Sequence, residues 1–197
     1  NGSGTVLKLL ILGDSAAAGV GVEQQSKALS GQLVSKLSDA FLINWRLEAE
    51  SGINTSDLIK RLEGLDSFET DTVVVSLGVN DVTSKIRLKE WLELQGKLRE
   101  LLVAKFKAKH ILLSSIPPMD QFPSLPQPLR WYLGRRAKAF NAALKQQSLV
   151  YDELEYLSVG FPLKAEYFAG DGFHPNHLAY QFWSELTASQ IRLKHEL

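Results

Sequence analysis

Short apolar segments alternate with longer segments of helical periodicity along the chain. The predicted strands are residues 6–12, 42–49, 72–77, 110–114 and, more weakly, 149–152. Central strands of a parallel sheet are buried on both faces and therefore form continuous apolar runs. The runs Val73-Val74-Val75 and Ile111-Leu112-Leu113 have this character.

The predicted helices lie between and after these strands, at residues 28–40, 56–65, 89–107, 129–147 and 176–194. In the third helix, apolar side chains recur at spacings of three and four residues, which gives it one apolar face. These are Trp91, Leu94, Leu98, Leu101, Leu102 and Phe106. Alternation of strands and helices predicts an α/β fold whose doubly wound parallel sheet has helices on both faces.

Composition limits the classes of partner and cofactor. The 22 basic and 22 acidic residues give zero net charge, which predicts no broad basic field for nucleic acid or for an anionic membrane. The absence of cysteine excludes disulfides, thiolate metal sites and cysteine nucleophiles, and it suits reducing and oxidising compartments equally. No apolar run reaches the roughly 18 residues of a membrane helix, so no integral membrane segment is expected.

The length of 197 residues predicts a single domain over residues 5–197, with residues 1–4 as a tag or leader remnant. Within this domain, five of the seven prolines lie in residues 117–128. Such a density predicts a long, stiff loop directly after the fourth strand. Ligands of open α/β sheets bind beyond the carboxyl ends of the strands, and this loop leaves from that edge.

Four segments rich in glycine, asparagine or aspartate mark the same edge of the predicted sheet. They are residues 13–19, 51–55, 78–81 and 171–176. The first three follow the first three predicted strands, and the fourth precedes the last predicted helix. Together they bring a serine, a histidine, carboxylates and possible oxyanion donors to one place.

These residue types suit nucleophilic catalysis on an ester. A serine hydroxyl becomes nucleophilic when an imidazole takes its proton, and a carboxylate orients that imidazole and favours its charged form. Ser15, His174 and Asp171 fit these three roles. The backbone N–H groups of Ser15 and Gly52 and the side-chain amide of Asn80 are candidate donors to the oxyanion.

Four blocks of residues resemble, in order, the signature of the SGNH hydrolases, also called GDSL esterases and lipases. They are Gly13-Asp14-Ser15, Gly52, Gly78-x-Asn80-Asp81 and Asp171-x-x-His174. The resemblance implies a flavodoxin-like, three-layer α/β/α fold with a five-stranded sheet. It also implies Ser15 as nucleophile, His174 as base and Asp171 as its partner, with Ser15, Gly52 and Asn80 forming the oxyanion hole and no cofactor.

Three further residues of these blocks are expected to support the site without reacting: Asp14, Gly78 and Asp81. The carboxylate of Asp14 is expected to order the turn at the nucleophile. One departure from the family motif is Ala16, which stands where leucine is common and bears on the packing behind the nucleophile.

The sequence disfavours two other functions for these motifs and leaves the function of one basic cluster open. The glycines after the first strand lack both the dinucleotide fingerprint and the Gly-Lys-Ser/Thr of a phosphate loop. His174 and His177 are separated by Pro175 and have no cysteine to join them, so no metal site is predicted. The basic cluster Arg130, Arg135, Arg136 and Lys138 fits either an anion-binding surface or an ordinary helix surface.

Apolar residues near the expected site are candidates for a substrate pocket, or else fill the core under the loop. They are Val79, Met119, Phe122, Trp131 and Phe173. The sequence thus predicts a serine esterase for short-chain or aryl esters. A thioesterase or lysophospholipase, a carbohydrate O-deacetylase and a noncatalytic binding module with the same fold remain alternatives.

Overall fold

The computed structural model describes residues 4–160 and 164–195. In these ranges the strands are β1 Thr5–Gly13, β2 Phe41–Ala49, β3 Thr72–Ser76, β4 His110–Ser114 and β5 Leu154–Leu157. The helices are α1 Ser15–Ala18, α2 Leu29–Leu37, α3 Thr55–Glu63, α4 Val79–Thr83, α5 Leu88–Phe106, α6 Leu129–Ser148 and α7 His177–Lys194. Short 3₁₀ turns lie at Gln25–Lys27, Met119–Gln121 and Ala165–Tyr167.

All five strands are parallel and lie in the order β2-β1-β3-β4-β5. This is the flavodoxin-like order, in which the chain moves first to one side of β1 and then to the other. The predicted α/β class with a doubly wound, five-stranded parallel sheet is therefore confirmed.

Alternate side chains of β1 enter two different cores, which gives the molecule three layers. Leu7, Leu9 and Ile11 pack with α2 and α7 on one face of the sheet. Leu10 and Leu12 point the other way and pack with α3, α5 and α6. Successive side chains of a strand point to opposite faces of the sheet. Because both sets are apolar here, helices cover both faces.

The first four predicted strands and all five predicted helices occur with small shifts at their ends, but the fifth strand was predicted in the wrong place. Residues 149–152 follow the end of α6, where Leu149 and Val150 are 73% and 70% exposed. The strand lies at Leu154–Leu157 instead. It has only four residues and contains Glu155, which pairs with His110 at 2.8 Å, so it lacks the continuous apolar run of a central strand.

Two of the expectations from the sequence concern the first residues of the chain and membrane-spanning segments. The suggested tag or leader remnant falls on residues 1–4, of which 1–3 lie outside the described residues. No helix in the described ranges is both long and apolar enough to cross a membrane.

The crevice between β1 and β3 is the point at which the strand order reverses. Gly13 at the end of β1 is paired with Ser76 at the end of β3. Sheets of this kind bind ligands at this crevice, beyond the carboxyl ends of the strands. The loops that follow β1, β2 and β3 all emerge there.

Candidate active site

A tight turn after β1 places Ser15 at the start of α1. A Cβ on Gly13 would lie 2.3 Å from the carbonyl oxygen of Ser76, so only glycine fits where the two strands end. The Asp14 carboxylate accepts a hydrogen bond from the Ala16 N–H at 3.0 Å and caps the helix. Ser15 is the first helical residue, and its own N–H therefore has no acceptor within the helix.

His174 reaches Ser15 from the loop before α7. The Nε2 atom of His174 lies 3.0 Å from the Ser15 Oγ. On the other side of the ring, Nδ1 lies 2.5 Å from the Asp171 Oδ2. An imidazole that donates its Nδ1–H to Asp171 keeps a lone pair on Nε2, which can accept the serine proton.

The loop around Asp171 holds both groups in place. Its Oδ1 accepts hydrogen bonds from the N–H groups of Phe173 and His174, at 2.9 and 3.0 Å. Partial burial raises the pKa of the Asp171 carboxyl, but the hydrogen bonds from the His174 side chain and from these backbone groups outweigh it and lower the pKa to about 2. Asp171 is therefore ionised throughout the neutral range.

The loops after β2 and β3 carry the two remaining predicted oxyanion donors. The side-chain amide of Asn80 donates one hydrogen to the Ile53 carbonyl at 2.9 Å, which leaves its second hydrogen for another acceptor. Gly52 has a φ of 82°, and a Cβ there would meet nothing within 4 Å. Positive φ, and not crowding by neighbouring atoms, is thus the reason for glycine at this position.

The buried carboxylate of Asp81 connects the segments that follow β2 and β3. Its side chain is 2% exposed and accepts hydrogen bonds from the N–H and, at 2.8 Å, the hydroxyl of Thr55 at the start of α3. The Thr55 hydroxyl accepts in turn from the side-chain amide of Gln95, at 3.0 Å. Burial raises the pKa of the Asp81 carboxyl. The contacts of Asp81 are therefore with the scaffold that positions Asn80.

Gly78 directly precedes α4 and has a φ of 122°, a backbone conformation that residues with a side chain rarely adopt. A Cβ there would also lie 2.6 Å from the Ile116 side chain. Glycine at this position lets the chain turn directly from β3 into the helix that carries Asn80.

Burial of Asp14 gives a stability prediction. The side chain is 3% exposed, and burial raises the pKa of its carboxyl from 3.8 to about 6. A pKa that is higher in the folded state means that stability is greatest while Asp14 is protonated and falls as the pH rises from 3.8 through about 6. Asp14→Asn keeps an oxygen for the Ala16 N–H without the charge, but its buried NH₂ group must also be desolvated, so we expect it to stabilise the protein at pH 8 by up to about 3 kcal/mol.

Urea unfolding of the wild type and of Asp14→Asn at pH 8 and at pH 4 measures this difference, which should shrink markedly at the lower pH. Asp66, an exposed carboxylate, provides the matched control Asp66→Asn, which should change little at either pH. Equal stability of the wild type and Asp14→Asn at pH 8 would contradict an unfavourable buried charge at position 14.

A cleft opens directly beside Ser15 and His174, with a cavity volume of about 60 Å³. Three serines at or just beyond the ends of strands β3 and β4 also line it: Ser76, Ser114 and Ser115. Its aromatic walls are Phe122, Tyr167, Phe168, Phe173 and Trp183. The ring of Phe122 contacts those of Phe168 and Phe173 edge to face, with centroids 5.4 and 5.0 Å apart.

The structure separates the five residues that were predicted for the pocket. Val79, Phe122 and Phe173 line the cleft. Met119 is completely buried in the core beneath the loop, and Trp131 is 55% exposed on α6, so neither of them lines the cleft. Met119 lies in a 3₁₀ turn three residues before Phe122. Both side chains are buried in the same core, but only that of Phe122 also reaches the wall of the cleft.

Several lining residues were missed from the sequence. Ser114 and Ser115 directly follow the apolar run of the fourth strand, so their position at the carboxyl edge of the sheet could have indicated them. Ala179 and Trp183 are four residues apart on α7 and therefore share one helix face. Within the described ranges, no group of three or more His, Asp or Glu side chains is arranged to hold a metal ion.

Comparison with known proteins gives a match over most of the chain. Residues 11–182 match the family model described as the GDSL-like Lipase/Acylhydrolase family. A search of curated proteins finds no match to the chain.

Solved structures with the same fold include esterases. The psychrotrophic esterase EstA from Pseudoalteromonas sp., in a form inhibited by monoethylphosphonate, has a TM-score of 0.72 and 23% identity, over 96% of this chain and 99% of that one. Est24, a carbohydrate acetylesterase from Sinorhizobium meliloti, has a TM-score of 0.70 and 18% identity, over 95% and 99%. A member of the lipolytic protein G-D-S-L family from Veillonella parvula has a TM-score of 0.69 and 15% identity, over 93% and 97%.

Proposed function

Because this chain belongs to the GDSL-like lipase/acylhydrolase family, whose description indicates a hydrolase acting on esters, we propose that it is a serine esterase for esters of short-chain acids or aryl alcohols. The observation that carries the proposal is the continuous hydrogen-bonded series from the Ser15 hydroxyl through His174 to Asp171. A noncatalytic binding module has no need for these three groups in this alignment.

The proposed reaction has two steps. The Ser15 Oγ attacks the ester carbonyl while His174 Nε2 takes its proton, and the charged ring is stabilised by Asp171. The carbonyl oxygen becomes an oxyanion that accepts hydrogen bonds from the Ser15 and Gly52 N–H groups and from the Asn80 amide. The alcohol leaves with the proton from His174, and a water molecule activated by the same ring then releases the acid from Ser15.

The character of the cleft supports an apolar acyl group. Its aromatic walls, in which Phe122 packs edge to face against Phe168 and Phe173, suit a short apolar chain beside Ser15. The likeness of the fold to that of a carbohydrate acetylesterase supports an acetyl ester of a carbohydrate as the second candidate substrate.

A substrate panel combined with covalent labelling tests the proposal. We expect hydrolysis of p-nitrophenyl acetate and butyrate at higher kcat/KM than of the decanoate, of an acyl thioester or of a lysophospholipid. An acetylated sugar in the same panel tests the second candidate. An ethyl p-nitrophenyl phosphonate should stop the activity and add one phosphonyl group to Ser15, detected by peptide mass spectrometry. Hydrolysis that continues while Ser15 is fully labelled would rule out the proposed nucleophile.

Phe122 provides a test of the acyl pocket. Its ring is 3% exposed and closes the cleft against Phe168 and Phe173. Phe122→Ala should make room for further methylene groups, each worth about tenfold in specificity when it is buried in an apolar pocket. We therefore expect the ratio of kcat/KM for hexanoate to that for acetate to rise about tenfold or more.

The matched control for this variant is Trp131→Ala, which removes a large aromatic side chain that does not line the cleft. Its acyl preference should equal that of the wild type. Truncation of a buried phenylalanine costs about 3–5 kcal/mol of stability, so the assays belong at a temperature at which both variants are folded by circular dichroism. An unchanged hexanoate-to-acetate ratio in folded Phe122→Ala would place the acyl chain elsewhere.

A further inference from the structure

Helix α6 carries an unbalanced positive charge in a chain whose net charge is zero. It contains Arg130, Arg135, Arg136, Lys138 and Lys145 and no acidic residue. Among residues 4–160 and 164–195, the one ion pair that involves this helix joins Lys138 to Asp120. The guanidinium of Arg136 donates to backbone carbonyl groups, at 2.8 Å in the case of Ile86, which leaves its charge unneutralised.

The first turn of the same helix exposes large apolar side chains. Leu129, Trp131 and Tyr132 are 45%, 55% and 51% exposed. The guanidinium of Arg135 lies over the ring of Trp131, 5.1 Å from its centroid. We call Leu129, Trp131, Tyr132, the exposed Arg135 and the half-buried Arg130 together the basic-aromatic patch.

The basic-aromatic patch lies at the edge of the sheet that carries the candidate site. Helix α6 connects the carboxyl end of β4 to the amino end of β5, so its first turn is at the edge from which the catalytic loops emerge. The loop before it contributes Phe122 to the cleft wall. The N–H of Ser124 in that loop donates to the Gly172 carbonyl at 3.3 Å, next to Asp171.

We propose that the basic-aromatic patch docks the protein on the surface of an anionic lipid bilayer, with the catalytic cleft facing that surface. Tryptophan and tyrosine favour the level of the lipid headgroups, and nearby arginines are attracted by anionic headgroups. An exposed leucine between proline and arginine gives a side chain that can enter the acyl region. The zero net charge had predicted no basic field for a membrane, but that average conceals the separation of charge along the chain.

Co-sedimentation with sucrose-loaded vesicles measures the docking directly. Vesicles of 30 mol% phosphatidylglycerol in phosphatidylcholine are compared with vesicles of phosphatidylcholine alone, at 0.1 M salt. The wild type should partition at least tenfold more strongly onto the anionic vesicles. Because sedimentation does not depend on ester hydrolysis, its result is separate from the test of the proposed function.

Two double variants examine the two components of the patch. Each arginine near an anionic surface contributes about fivefold to partitioning, so Arg130→Gln with Arg135→Gln should lower binding about 25-fold. Leu129→Ala with Trp131→Ala should lower it at least tenfold through the loss of inserted apolar area. The matched control is Leu149→Ala with Val150→Ala, which removes two more exposed apolar side chains just beyond the opposite end of α6. This control should bind as the wild type does.

The outcomes separate docking from other uses of the same surface. Equal binding by the wild type and both patch variants, or equal binding to anionic and neutral vesicles, overturns the proposal. Tighter binding of a single-stranded oligouridylate than of anionic vesicles, measured by fluorescence anisotropy, also overturns it and assigns the patch to nucleic acid. Circular dichroism of each variant confirms that a loss of binding is not a loss of folding.

Discussion

Replacement of Ser15 by alanine is expected to lower kcat for p-nitrophenyl acetate by about 10⁴-fold or more, as the loss of a serine nucleophile does in other hydrolases. The hydroxyl that would form the acyl-enzyme lies 3.0 Å from the imidazole of His174, and alanine removes only that oxygen. The turn depends on the Asp14 cap and on Gly13, which this substitution leaves in place. We therefore expect a folded protein whose free energy of unfolding lies within about 1 kcal/mol of that of the wild type.

The matched control is Ser26→Ala, which removes an exposed hydroxyl from a surface turn. It should retain the full kcat. If Ser15→Ala and Ser26→Ala hydrolyse the ester at similar rates, the reaction does not pass through Ser15 and the proposed esterase mechanism is excluded.

The second large effect is expected for Asp171→Asn, which should lower kcat by about 10⁴-fold. An asparagine oxygen can still accept from the N–H groups of Phe173 and His174, so the loop should keep its shape. Its NH₂ group would face the His174 Nδ1 and donate to it, which forces the ring proton onto Nε2. In that tautomer Nε2 cannot accept the proton of Ser15.

In the wild type, the charge of Asp171 should not change over the pH range of the assay. The pKa of Asp171 is held at about 2, so the wild type carries the carboxylate at every pH between 5 and 9 and titration of this group should not appear in its profile. The control Asp39→Asn removes an exposed carboxylate that pairs with Arg192 on the surface, and its kcat should be unchanged. A loss of less than tenfold in Asp171→Asn would show that His174 is oriented by something else.

The sheet could be predicted because its central strands carry their own signal. Strands β3 and β4 are buried along their whole length, and such strands read as uninterrupted apolar runs. Strand β5 lies at the edge of the sheet and gives no such run, while exposed Leu149 and Val150 imitate one. Hydrophobicity alone cannot distinguish a strand from an apolar helix end, because the burial of each residue depends on tertiary contacts.

The candidate site was predictable to a similar extent and for a similar reason. Glycines with positive φ and polar residues directly after strands leave a pattern in the sequence, and these include Gly52 and Gly78. The walls of the cleft come from segments far apart in the chain, such as Phe122 and Trp183, and depend on how loops fold over the sheet. Met119 and Phe122 are both apolar and three residues apart, so only the path of the loop decides which one faces the cleft.

The buried hydrogen bonds of Asp81 have a consequence for exchanging loops among relatives. Asp81 joins the helix of Asn80 to the start of α3, and the Asn80 amide binds the Ile53 carbonyl in the loop that contains Gly52. The two segments therefore depend on each other for stability, even though about 25 residues separate them in the chain. A chimaera that takes one segment from a donor protein must take both, because a mismatched half would leave the Asp81 carboxylate buried without Thr55.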